Sequence, residues 1–244
     1  MGQIPLAVRL SDHAEFDNYV AGPNAAALAA VARLASEPDA PALWVWGAPS
    51  TGKTHLLQAA CAAAGRAGLA AAYLPLATWK DAGPGVLEGW DSETLLCVDD
   101  VDAVAGDAAW EAALFTLFNA VTARRGTLLF SASAAPGTGG FTLPDLVSRL
   151  SSGAVFRLEV LDEDERMRAL ALRCRRRGLE LPDKTALWLT RHYRRDLGSL
   201  FELLERLDEE SMVAKRPLTV HFVRGVLNRS GAADAENERS EHRE

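Results

Sequence analysis

A chain of 244 residues with a net charge of −7 is long enough for one large domain or for a core domain with a small satellite. It is too acidic for strong autonomous binding to nucleic acid, which needs a clustered excess of Lys and Arg. Cys61, Cys97 and Cys174 stand far apart without metal-ligand spacing, which argues against a zinc site or a disulfide framework and makes them small core residues of a reducing compartment. No apolar run is long enough for a membrane helix, and no basic region precedes one as in a signal peptide, so the expected location is the cytoplasm.

In chain order, the first feature is Gln3–Val8, "QIPLAV", apolar but too short to cross a membrane. Short apolar runs bounded by Gly, Pro, Asp or Ser then follow at Leu43–Trp46, Ala70–Leu74, Thr94–Val98, Thr127–Ser131 and Val155–Val160. Mostly flanked by helical patterns, they predict five parallel strands of an α/β fold. Between the third and fourth, Trp110, Leu114, Leu117, Phe118 and Val121 repeat at the spacing of one helix face. Beyond about residue 161 the strands cease. Asp162 and Glu165 form a capping box, Leu197, Leu200, Phe201, Leu204 and Leu207 share a helical face, and another helix starts near Thr219, which together predict a small all-helical domain. Ser230–Glu244 is small and charged with nothing to bury, and is expected to be disordered.

The strongest chemical signal is "GAPSTGKT" at Gly47–Thr54, placed between the apolar run "LWVW" and the helical pattern that begins at His55. Gly47, Thr51, Gly52, Lys53, Thr54 and His55 are the expected phosphate-binding set. The glycines let the backbone curl so that its N–H groups and a helix N-terminus surround phosphate oxygens, Lys53 meets the outer phosphates, and the Thr54 hydroxyl faces magnesium. The second signal is "TLLCVDD", an apolar strand ending in Asp99 and Asp100. Asp99 is then the metal-facing carboxylate at the C-terminal edge of a parallel sheet.

Together with "FDNYVAGPN" at Phe16–Asn24, "LPDLVSRL" at Leu143–Leu150 and "RDLGSL" at Arg195–Leu200, these motifs resemble the AAA+ domain of the bacterial replication initiator DnaA. Their order and spacing are most like the Hda group of DnaA-related regulators. The likeness covers roughly residues 14–229, leaving no room for a helix-turn-helix DNA-reading domain. It implies an AAA+ P-loop NTPase with a five-stranded parallel sheet over 14–160, a small all-α lid over 161–229 and a tail over 230–244, preceded by a clamp-binding segment over 1–13. It implies ADP or ATP with Mg2+, Val20 and Asn24 at the adenine, and a lid residue, Arg195, on the chain's own nucleotide. Arg149 matches the arginine finger, which acts on a neighbour's nucleotide. Asp100 stands where AAA+ relatives carry Glu, and a sensor hydroxyl falls at Ser131 to Ser133, assigned to Ser133. Both departures imply weak intrinsic hydrolysis.

Gln3, Ile4, Leu6 and Val8 resemble a peptide motif that binds the sliding clamp, the polymerase III beta subunit. The implied partners are therefore DnaA and the clamp, with DNA contacted mainly through the clamp, no membrane, room for a homodimer, and a nucleoid-associated cytoplasmic location. The implied role is negative regulation of replication initiation by stimulating hydrolysis of DnaA-bound ATP. The alternative is an ATP-driven helicase loader or remodelling ATPase acting on DNA. The basic run Arg173, Arg175, Arg176 and Arg177 reads as the solvated face of the first lid helix rather than as a DNA contact.

Overall fold

Alternation of side chains along each strand decides which face of the sheet it serves. In β1 (Ala42–Gly47), Leu43 and Val45 point into one apolar layer and Trp44 into another. The same division holds in β3 (Leu95–Asp99), where Leu95 and Cys97 oppose Leu96 and Val98, and in β4 (Thr127–Ala132), where Leu129 opposes Leu128 and Phe130. With β2 (Ala71–Pro75) and β5 (Ala154–Leu158) these strands form one sheet in the order β2-β3-β4-β1-β5, every pair parallel. A sheet apolar on both faces needs a helical layer on each. In the computed structural model, which describes residues 14–38, 40–193, 196–214 and 218–228, it has both.

One layer is α1 (Ala25–Ser36) and α2 (Lys53–Arg66). Helix α1 buries Ala27, Val31, Leu34 and Ala35, and α2 buries Leu56, Leu57, Ala60, Cys61 and Ala64. The other layer holds α3 (Leu76–Trp79), α4 (Ala108–Ala123) and α5 (Pro144–Leu150). In α4 the predicted face of Trp110, Leu114, Leu117, Phe118 and Val121 is buried in full, and Leu146 and Leu150 of α5 join the same layer. All five expected strands form. The last is shorter than expected, because the pairing of β5 with β1 ends at Leu158, opposite Gly47, and Val160 is left 56% exposed.

The chain divides into two compact units between Leu161 and Asp162. The second contains α6 (Glu163–Arg176), α7 (Asp183–His192), α8 (Leu197–Ala214) and a helix over residues 220–228. Asp162 and Glu165 make the expected reciprocal capping box at 2.8 and 2.9 Å, and the Thr219 hydroxyl accepts from the Phe222 N–H. Leu170, Cys174, Leu189, Leu200, Leu204 and Val223 meet in its core. The arginine run divides in a way its sequence did not suggest. Arg175 and Arg176 are exposed, but Arg173 and Arg177, one helical turn apart, lie against α8, where both donate to Glu205 at 3.0 and 2.8 Å. Arg173 also covers the Phe201 ring. All three cysteines are buried and unpaired as expected. Among the described residues no helix is long and apolar enough to cross a membrane. Gln3, Ile4, Leu6 and Val8, Arg195 and the segment 230–244 lie outside the described residues.

Candidate nucleotide-binding site

The phosphate loop grows out of the buried end of β1. Close approach requires glycine at Gly47, since a Cβ there would sit 2.5 Å from the Leu158 carbonyl oxygen. Gly52 has φ +92°, a left-handed conformation open to glycine, and a Cβ on it would lie 2.6 Å from the Tyr19 ring. Helix α2 then starts at Lys53, so its first-turn N–H groups, which lack partners within the helix, point out of the loop where an anion would sit.

Lys53 is nearly buried, and its ammonium donates to the carbonyls of Gly47 and Ala48 at 2.9 and 3.1 Å. The Thr51 hydroxyl donates to the Ala48 carbonyl at 2.9 Å, whereas Thr54 is exposed at the start of α2.

The segment before α1 clasps this loop. The Tyr19 hydroxyl donates to the Thr51 carbonyl at 3.2 Å, and burial pushes its pKa up to about 12, against the opposing effect of a hydrogen bond with Asn24. His55 lies against the Tyr19 ring and its Nε2 is 2.9 Å from the Glu15 carbonyl. The imidazole therefore holds the clasp, leaving the His55 backbone as its contribution to an anion site. Val20 is half-buried beside it. The Asn24 side chain neither caps α1 nor stands free for a base. Its amide donates to the Glu159 carbonyl at 3.0 Å and its Oδ1 accepts the Glu159 N–H at 2.8 Å. It brackets the end of β5, and any contribution to an adenine pocket is through that placement.

Asp99 lies at the end of β3, 2% exposed. Tyr73, in the middle of the neighbouring β2, donates its hydroxyl to Asp99 Oδ2 at 2.6 Å, and Ser131 of β4 donates to Oδ1. The Ser131 oxygen also accepts the Asp100 N–H at 2.9 Å. The hydroxyl that meets Asp99 is thus that of Ser131, two residues before the Ser133 expected as the sensor. Ser133 is exposed and bonded through both its hydroxyl and its N–H to Asp102. Asp100 adopts a left-handed conformation, φ 50°. Burial is the main cause that raises its pKa, the Asp99 charge adds to the rise, and Lys53 opposes it.

No group of three His, Cys, Asp or Glu side chains among the described residues is placed to hold a metal without help. The donors present, a threonine hydroxyl and a carboxylate beside a phosphate loop, are the hard oxygens that suit magnesium arriving with a nucleotide. Arg149, in the last turn of α5, is exposed and has no side-chain partner among the described residues. Tyr19 and Tyr73 escaped sequence reasoning, although the place of Tyr73 in the expected strand before the Asp99 strand was a usable signal.

The family model for the bacterial DnaA ATPase domain matches residues 10–73, and that for the Hda lid domain matches residues 162–227. In these two segments the chain resembles DnaA-related AAA+ proteins. Its fold is similar to domain III of DnaA from Thermotoga maritima, with TM-score 0.77 and 22% identity over 88% of this chain and 96% of that one. AMPPCP-bound DnaA from Aquifex aeolicus gives 0.67 and 23%, over 81% and 66%. A RuvB variant from Thermotoga maritima gives 0.57 and 16%, over 77% and 60%. At these identities the likeness is one of fold, and the match to the Hda lid model is confined to the helical unit.

Proposed function

We propose that this protein is a negative regulator of replication initiation that holds an adenine nucleotide, docks on the DNA-loaded sliding clamp through residues 3–8, and presents Arg149 to ATP held by a DnaA initiator. The observation that carries this reading is Arg149 itself, an exposed guanidinium on a short buried-face helix with no partner among the described residues of its own chain. Arg149 is available to another subunit, where a planar guanidinium can spread its donors over the charge that develops on a transferring phosphoryl group.

In its own site, the α2 N-terminus and Lys53 would hold the nucleotide's phosphates, with Thr54 and Asp99 toward Mg2+, which neutralises phosphate charge when bound. Lys53 must exchange the Gly47 and Ala48 carbonyls for phosphate oxygens, a short swing that keeps its charge in the same cradle. The hydroxyls of Ser131 and Ser133 are already committed to Asp99 and Asp102. That is why we assign this chain slow hydrolysis of its own ATP and place the catalytic effect in trans. Residues 3–8 would bind as an extended peptide, with Ile4, Leu6 and Val8 in an apolar groove and Gln3 as the polar anchor.

The test mixes the purified chain, ADP and DNA-loaded clamp with ATP-bound DnaA and follows conversion of the initiator's ATP to ADP. Acceleration is expected, and it should weaken when Gln3 and Leu6 are both changed to Ala. Rapid turnover of the chain's own ATP, stimulated by single-stranded DNA and without effect on DnaA, would instead identify a helicase loader or remodelling motor.

A further inference from the structure

One buried charge has no part in the nucleotide chemistry. Glu111, in the first turn of α4, is 1% exposed and makes no ion pair among the described residues. Its carboxylate gathers donors from two other segments. Oε1 accepts the Gly106 N–H at 2.7 Å, from the turn that follows the Asp99–Asp100 strand end. Both oxygens accept the Thr142 N–H at 3.0 Å, and Oε2 also takes the Thr142 hydroxyl at 3.1 Å and the Leu143 N–H at 2.6 Å.

Leu143 is the residue on which α5 begins, and its own side chain supplies no cap. The negative charge that completes this helix start therefore comes from another helix. Burial alone would raise the Glu111 pKa, but the backbone N–H groups of Thr142, Gly106 and Leu143 outweigh it and hold the carboxyl below its usual range. The carboxylate stays charged, and charge-assisted bonds to backbone are the strong kind. Helix α5 has only seven residues, and Arg149 sits in its last turn. A helix that short does not hold its own orientation in water. Leu146 and Leu150 seat one face of it, and Glu111 fixes its start.

We infer that Glu111 is the positioning residue for Arg149: by tying residues 142 and 143 to α4 and to the Gly106 turn, it sets the direction in which α5 delivers the guanidinium. The inference rests on the reading of Arg149 as a group that acts in trans.

Two measurements test it. In hydrogen exchange, Glu111→Gln should speed the amides of residues 142–150 by about tenfold or more while those of α2 and β1 hold, because the amide NH2 cannot replace an acceptor oxygen facing N–H donors. Thr142→Val, which removes one hydroxyl donor and threatens the fold less, should give a smaller change in the same segment. In the stimulation assay, Glu111→Gln should lower the maximal rate of hydrolysis by the initiator at saturating chain, leaving ADP affinity and the half-saturating concentration unchanged. Added to Arg149→Ala it should cost nothing further. Unchanged exchange over 142–150 in both variants, or a full maximal rate with Glu111→Gln, overturns the inference. If the wild-type chain does not accelerate the initiator's hydrolysis, the reading of Arg149 is what fails, and the exchange measurement still decides whether Glu111 anchors the segment.

Discussion

In the α/β unit the buried polar side chains Asn24, Asp99 and Glu111 are 3%, 2% and 1% exposed, and each is satisfied by named donors or acceptors on a different segment. In the helical unit two threonines, Thr185 and Thr190, are buried as deeply, but the paired charges stay nearer solvent. Arg173 and Arg177 are 17% exposed, and the carboxylate they share, Glu205, is 47% exposed. The apolar core of that unit gathers mostly leucine and valine with Cys174, rimmed by a few aromatic rings. Both units rest on apolar area, and the α/β unit adds directional bonds from buried charged and amide side chains to particular atoms, so point changes should hurt them differently.

The largest expected effect falls on chemistry rather than stability. Arg149→Ala should leave folding and ADP binding intact and remove about 10³–10⁵ from the stimulated rate of ATP hydrolysis by the initiator, the range of an arginine finger. Arg149→Lys should be nearly as poor, since an ammonium lacks the planar fork. Single-turnover decay of the initiator's ATP reads both.

Next comes Lys53→Ala. A ligand at about 100 times its Kd stabilises by about 2.7 kcal/mol, and this variant should lose most of the rise in melting temperature that ADP gives the wild type. In the helical unit, Leu189→Ala empties a fully buried position and should cost that unit about 2–5 kcal/mol, measured by denaturant titration with a probe in the lid.

A pH titration sharpens the contrast. The folded-state pKa of Glu111 lies below its ordinary 4.5, so its contribution to stability is present above that value and lost as pH falls through the folded-state value. Wild type should lose stability on acidification more steeply than Glu111→Gln, as followed by melting temperature between neutral pH and the acid limit. Smallest of all, Glu205→Ala breaks two half-exposed ion pairs and should cost about 0–1 kcal/mol. A larger loss would mean that the helical unit too depends on directional charge.

What the sequence disclosed and what it withheld follow the same division. The strands, the α4 face, the Asp162 cap and the Gly47–Thr54 loop are written in neighbouring residues, so spacing alone finds them. The partners of Asn24 and Glu111 lie 135 and 31 residues away, and no local pattern distinguishes Asn24 as a bracket from Asn24 as a helix cap. Ser131 and Ser133 are both small hydroxyls near one strand end, and only the register of β4 against β3 decides which meets Asp99. The division of the arginine run depended on where α8 crosses α6, which neither helix encodes by itself.

The sheet order carries a consequence for the making of the protein. Strand β1, whose last residue opens the phosphate loop, pairs on one side with Leu128 to Ala132 and on the other with Ala154 to Leu158. During synthesis the loop emerges early, yet neither strand that frames it exists until most of the α/β unit has left the ribosome. Such late, long-range pairing is slow and leaves apolar strands waiting. The frame of the phosphate loop in a nascent chain is therefore incomplete until β4 and β5 have paired with β1.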